Sequence, residues 1–402
     1  MRKIGLMVGL MLLLSFVPFG KANGPTADFT WSPTNPSTAD LIHFTDTSSN
    51  QSDIEERIWY FGDGHGSTEK NPFHQYAKPG TYNVKLVVKW NFSGTIVYGE
   101  VTHAVQVANQ PPVADAGPNQ VVNKTKVTLD GSGSYDPDGN ITSYVWNFGD
   151  NTTGSGKIVH HTYSEDGSYT VKLNVTDDSG ASDEDTCLVT VDTHVPQTKV
   201  NLTGKEGKND WYIGNVTVKL QAQDNLSGID KTYYRIDGGN WTEYSTTFKV
   251  KKEGEHLLEY YSVDKAGNKE SIKNVTIKID KTKPSVSIIM PKEKRLYIFG
   301  RDIMPTFRMT VIIGKILVKI DAADNVSGIS RVKILVNGEE RANFTNPPYE
   351  WKWGGDIGRR TLKVIAYNGA GLNNSKEMDV KIYSLFRARS STLQTEIVAQ
   401  TY

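Results

Sequence analysis

The feature that most constrains this 402-residue chain is an internal repeat. Trp146 follows Trp59 by 87 residues, and the same offset carries His74 to His161, Tyr76 to Tyr163, Gly80 to Gly167 and Tyr82 to Tyr169. A constant offset without a gap means one structural unit written twice, and a unit of this size is a small domain rather than one turn of a solenoid.

Each copy shows the same local pattern. In GTYNVKLVV (80–88), Tyr82, Val84, Leu86 and Val88 share one face; in GSYTVKLNV (167–175), Tyr169, Val171, Leu173 and Val175 do so. Period two over such runs predicts half-buried antiparallel strands, and long helical patterns are missing. A tyrosine opening such a strand resembles the tyrosine corner of Ig-like sandwiches. Proline-containing joints at VANQPPVA (107–114), VDTHVPQT (191–198) and IDKTKPSV (279–286) each follow a strand-like run, and proline blocks sheet pairing across them. The predicted fold is all-β, a tandem array of four Ig-like β-sandwich domains at 24–110, 111–193, 194–283 and 284–384, with a patternless tail at 385–402. The last two units are related to each other: DNLSGI (224–229) recurs as DNVSGI (324–329), and DKAGN (264–268) has its counterpart in NGAGL (368–372).

The stretches WYFGDG (59–64) and WNFGDN (146–151) read as a strand end plus a turn. Trp59 and Phe61 point to one face, as do Trp146 and Phe148. Gly62 and Gly149 permit positive φ, and Asp63 and Asp150 can bind nearby backbone amides. The series W-x-FGD, H-x-Y, G-x-Y-x-V-x-L is present in full in both copies and resembles the polycystic kidney disease (PKD) repeat domain. That resemblance implies an Ig-like sandwich on extracellular surfaces that mediates protein–protein or protein–carbohydrate contacts and is not itself catalytic. Asn151 stands where the family prefers glycine, and asparagine tolerates the same left-handed geometry. The third and fourth units resemble Ig-like repeats of surface proteins, a combination most like archaeal or bacterial cell-envelope or secreted proteins.

The first residues fit export. Arg2 and Lys3 precede an apolar run from Ile4 to Val17 and a small-x-small site at 20–22, so residues 1–22 are expected to be a signal peptide. The run is shorter than the ~20 residues of a spanning helix, and no second long apolar stretch follows, so no transmembrane segment is expected after cleavage. Cys187 is the only cysteine, which leaves no internal disulfide. Lys plus Arg (45) equals Asp plus Glu (45), which argues against a nucleic-acid partner. Asn-x-Ser/Thr sequons, among them Asn91, Asn123, Asn174, Asn215 and Asn274, suit a glycosylated exported surface.

Several stretches could carry chemistry. FGDGHGS (61–67) has the glycines of a phosphate loop but is followed by proline and no helical period, so no helix N-terminus meets an anion. YDPDGN (135–140) brings Asp136 and Asp138 together, with Asp150 just past the next strand. These three are the candidate metal ligands, for calcium, although aspartate turn chemistry accounts for them as well. Asp224 and Asp324 are weaker candidates of the same kind. No H-E-x-x-H and no G-x-S-x-G is present, so no catalytic residue is assigned. Trp90-Asn91-Phe92 is expected in a loop, with Trp90 either exposed for binding or part of the core; Trp351 and Trp353 alternate and read as core.

These readings converge on a non-catalytic secreted or cell-surface adhesion and scaffold protein whose partners are cell-envelope proteins or carbohydrates. The alternative is an accessory substrate-binding chain of a secreted hydrolase acting on polysaccharide or protein fibres.

Overall fold

The computed structural model describes residues 25–384. The expected signal segment 1–22 and tail 385–402 lie outside the described residues. The chain divides into two compact units with the break near residue 190.

In the first unit, the first domain packs two sheets. One runs in the spatial order Phe29–Ser32, Ile42–Asp46, Phe73–His74; the other runs Gly66–Ser67, Ile54–Tyr60, Gly80–Phe92, Thr95–Val107. The last two strands form one hairpin, paired from Gly80↔Val107 to Phe92↔Thr95. Phe29, Ile42 and Phe44 meet Trp59, Val84, Leu86 and Val88 between the sheets. The expected loop at Trp90–Phe92 is corrected here: it is the end of the long strand, and Trp90 is fully buried. The alternation of Tyr82, Val84, Leu86 and Val88 runs one step further. Gly99 makes room for the indole, since a Cβ there would come 2.8 Å from the Trp90 ring. The indole Nε1 donates to the Ser49 carbonyl at 3.0 Å.

The second domain repeats the plan. Thr153–Ser155, Ile141–Asn147, Gly167–Asp177 and Ser182–Val191 lie side by side in one sheet, and Lys126–Asp130 pairs with Ile158–Thr162 in the other. Trp146, Val171, Leu173 and Val175 are fully buried.

The two FGD turns close their domains in the same way. Gly62 and Gly149 have φ of 87° and 82°. A Cβ at Gly149 would stand 2.6 Å from the Thr170 carbonyl oxygen, so glycine is required for both conformation and space. One oxygen of Asp63 accepts from the His65 amide and one of Asp150 from the Thr152 amide, each at 3.0 Å. The other oxygen faces a histidine: Asp63 to His74 Nε2 and Asp150 to His161 Nε2, both 2.7 Å. Each imidazole lies flat on a phenylalanine, His74 on Phe61 (4.1 Å, 4°) and His161 on Phe148 (4.0 Å, 6°). A buried tyrosine stands edge-on to each histidine, and its hydroxyl returns to the carbonyl of that phenylalanine: Tyr76 to Phe61 at 2.8 Å and Tyr163 to Phe148 at 3.0 Å. Tyr82 and Tyr169 stack behind them and donate to the carbonyls of Lys78 and Glu165, both at 2.8 Å.

This arrangement shifts ionisations. Burial alone would raise the Asp150 carboxyl, but hydrogen bonds from Thr152 and His161 outweigh it and hold the group below the usual carboxylate range. Burial, reinforced by the Asp150 charge, pushes the Tyr163 phenol upward.

In the second unit, the third domain has one sheet ordered Gln197–Thr203, Val216–Gln223, Phe248–Val250 and another ordered Trp211–Tyr212, Lys273–Ile279, Gly254–Asp264, Ile229–Ile236, Thr242–Glu243. The fourth has a three-stranded sheet (Ser285–Met290, Ile316–Ala323, Tyr349–Trp353) facing a seven-stranded one. Trp353 is in its core, stacked on the partly buried Trp351 at 5.7 Å.

Two outcomes test this account. Tyr163→Phe leaves the buried Phe148 carbonyl without its donor and is expected to cost about 1–3 kcal/mol in denaturant unfolding; no change would show the bond to be dispensable. A carboxyl depressed in the folded state contributes stability above its unfolded pKa of ~3.9 and loses it as pH falls through the lower folded value. Melting temperature should therefore fall more steeply below about pH 4 in the native chain than in Asp150→Asn, and parallel curves would refute the linkage.

Candidate cation site at the joint of the first two domains

The connection between the first two domains is pinned at both ends. Ala108 exchanges backbone hydrogen bonds with the first domain, its amide donating to Pro36 (2.8 Å) and its carbonyl accepting from Thr38 (3.2 Å). Gln110 then turns to the second domain, its amide donating to Asp138 Oδ2 at 2.9 Å, while its side chain donates to Thr38 Oγ1 at 2.8 Å. The Thr38 hydroxyl itself donates to the same Asp138 oxygen, joining one domain to the other directly.

Asp138 belongs to the loop after Tyr135, where its amide is held by Asp136 Oδ1 at 3.1 Å. Gly139 packs closely there: a Cβ would lie 2.5 Å from Asp178 Oδ1 and 2.7 Å from Asp136 Oδ2, so those carboxylates would have to shift to admit one. On the linker side, Asn109 Nδ2 donates to Asp177 Oδ2 at 2.7 Å. Burial alone would raise the Asp177 carboxyl, but Asn109 and the amides of Ala181 and Ser179 hold it below the ordinary range, so it is charged at neutral pH.

Three oxygens around this joint have no partner although they are buried: Asn109 Oδ1, Asp136 Oδ2 and Asp138 Oδ1. Buried polar atoms are normally satisfied, and Asp138 is only 8% exposed. The donors are hard oxygens on short loops, with Asp177 and Asp178 adjacent, which is the chemistry of calcium rather than of a softer metal.

Asp150 does not join this set. Its two oxygens are taken by Thr152 and His161 at the far turn, so the grouping of Asp136, Asp138 and Asp150 is corrected. Nearness in sequence put it there, whereas the loop's actual partners are Thr38, a hundred residues upstream, and the linker amide of Gln110. Composition did not reveal them; the polar Asn109-Gln110 pair ahead of the prolines was the available signal.

The other candidates settle as follows. Asp224 Oδ1 accepts from the amides of Leu226 and Gly228, and its carboxylate lies within 4.8 Å of those of Asp192 and Asp264. In the fourth domain Asp324 holds the same turn, but Asn368 stands where the third domain has Asp264. Its amide donates to Asp280 Oδ2 (2.8 Å) and Asp324 Oδ2 (3.1 Å). Of the sequon asparagines, Asn123, Asn215 and Asn274 are exposed. Asn91 and Asn174 are half-buried, with side-chain amides donating to Glu55 and Glu184. Cys187 is buried and unpaired.

Comparison with known proteins fits this architecture. Residues 22–107 and 109–191 match the PKD domain family, and residues 303–364 match a bacterial Ig domain. Collagenase ColA of Clostridium perfringens is 28% identical over 220 residues, half of this chain and 19% of that protein. Collagenase ColA of Bacillus cereus is 37% identical over 185 residues, 39% of this chain and 19% of that protein. This chain thus spans about a fifth of the length of either. The solved PKD1 domain of Vibrio anguillarum Epp is 34% identical, aligning 22% of this chain with all of that one at a TM-score of 0.20. Residues 22–107 and 109–191 are thus two tandem PKD domains, and the chain beyond them includes a bacterial Ig domain at 303–364.

Proposed function

We propose that this chain is a non-catalytic, exported binding array that serves a secreted hydrolase by engaging its insoluble substrate, with protein fibre as the first choice and polysaccharide as the second. The observation that carries this reading is the alignment of half the chain with 19% of a collagenase. The His–Asp pairs support a non-catalytic role, because each imidazole is locked flat against phenylalanine as part of a turn. Among the described residues no helix is long and apolar enough to cross a membrane.

Calcium fits this role as a joint-setting ion. Asn109, Asp136 and Asp138 would hold it, and its charge would offset carboxylates gathered between two domains that otherwise meet through a few hydrogen bonds. The adhesion reading draws on the same domains, and weak contacts from several of them would add through effective concentration.

Two experiments bear on these proposals. Calcium should raise the melting temperature of the mature chain, a chelator should reverse this, and Asp138→Asn should remove most of the response; an equal response in the variant would overturn the assignment. Co-sedimentation with insoluble collagen, insoluble polysaccharide and cell envelopes decides the partner. Saturable retention on collagen supports the accessory reading, whereas retention on envelopes alone would replace it with surface adhesion.

A further inference from the structure

The two FGD turns share the aspartate and its histidine partner but differ in the residues that follow the aspartate, Gly64-His65 in one and Asn151-Thr152 in the other. In the second domain the residue two places after the aspartate is Thr152, whose hydroxyl donates to Asp150 Oδ1 at 2.5 Å. In the first domain that place is His65. Its side chain is 76% exposed, yet Nδ1 lies 3.3 Å from Asp63 Oδ2, the oxygen that His74 Nε2 also approaches, to 2.7 Å. The three ligand atoms lie within 4.8 Å of one another.

We propose that Asp63, His65 and His74 form a binding site for a zinc-class divalent cation on the first domain. Two imidazole nitrogens and one carboxylate are borderline donors that suit zinc and its neighbours, not calcium. With zinc–ligand distances of ~2.0–2.2 Å, tetrahedral ligands stand ~3.3–3.5 Å apart. The His65–Asp63 separation already has that value. The His74–Asp63 contact widens by roughly half an ångström when the metal takes the place between them, and His74 binds through Nε2 as the neutral imidazole with its ring proton on Nδ1. Orientation is built in: His74 is clamped between Phe61 and Tyr76 and is 13% exposed, so it does not have to be ordered on binding. His65 supplies the adaptable ligand. It sits between Gly64, with φ of 94° and open space beside it, and Gly66. Three protein ligands leave a fourth position toward solvent, open to water or to a donor from a partner.

The second domain supplies the control. Replacing His65 by the residue of the other copy, His65→Thr, keeps a turn the chain already uses. Zinc chloride is titrated calorimetrically into the mature chain with calcium saturating, and ring signals of the histidines are followed by NMR. The expected result is saturable binding that perturbs His65 and His74, with affinity at least tenfold lower in His65→Thr and the zinc-free melting temperature unchanged. Equal affinity in the variant, perturbation of other histidines only, or no saturable binding would overturn the proposal.

Discussion

A carboxylate reaching from a glycine turn to a histidine that lies flat on phenylalanine organises each of the first two domains. The aspartate satisfies a turn amide with one oxygen and fixes the imidazole with the other. The imidazole covers the phenylalanine and turns its edge partner, a buried tyrosine, toward the carbonyl of that same phenylalanine. Removing the aspartate, the histidine or the tyrosine leaves a donor or acceptor unmade, and where water is excluded such losses are expensive. The long strands Gly80–Phe92 and Gly167–Asp177 start beside this knot, and the loops at their far ends inherit their positions from it.

Much of this was legible in the sequence because it depends on local rules. Period two placed Trp59, Phe61, Trp146 and Phe148 in the cores, and the glycines marked the turns. The same rule, followed one step further, also places Trp90 inside, where a loop was expected; the buried face of the strand decided the matter. What was not legible is contact between distant segments. Asp63 and His74 are separated by the same interval as Asp150 and His161, which shows that both copies keep the pair but not that the side chains touch. The Asp136–Asp138 loop meets Thr38 only because a linker folds back on the first domain, and no periodicity reports that.

The third and fourth domains show how one turn can be stabilised in two ways. Asp192, Asp224 and Asp264 bring three carboxylates together, whereas Asp280 and Asp324 are bridged by the Asn368 amide. The backbone turn is the same in both: the Asp264 amide donates to the Asn268 carbonyl, as the Asn368 amide does to the Leu372 carbonyl. The fourth domain therefore carries its own neutral cross-link where the third concentrates negative charge. Asn368, which stands where the third domain has Asp264, is the residue that ties the linker at Asp280 and Thr282 to its domain.

The joint between the first two domains has a direction. Thr38 lies on the leading copy and the Asp136–Asp138 loop on the following one, while the leading copy has the short turn Gln51–Asp53 in the corresponding place before its strand Ile54–Tyr60. The two copies are similar enough to share a fold, yet they are not interchangeable links. Exchanging their order would keep both sandwiches intact and dissolve the seam, so the succession of domains is itself written into the side chains.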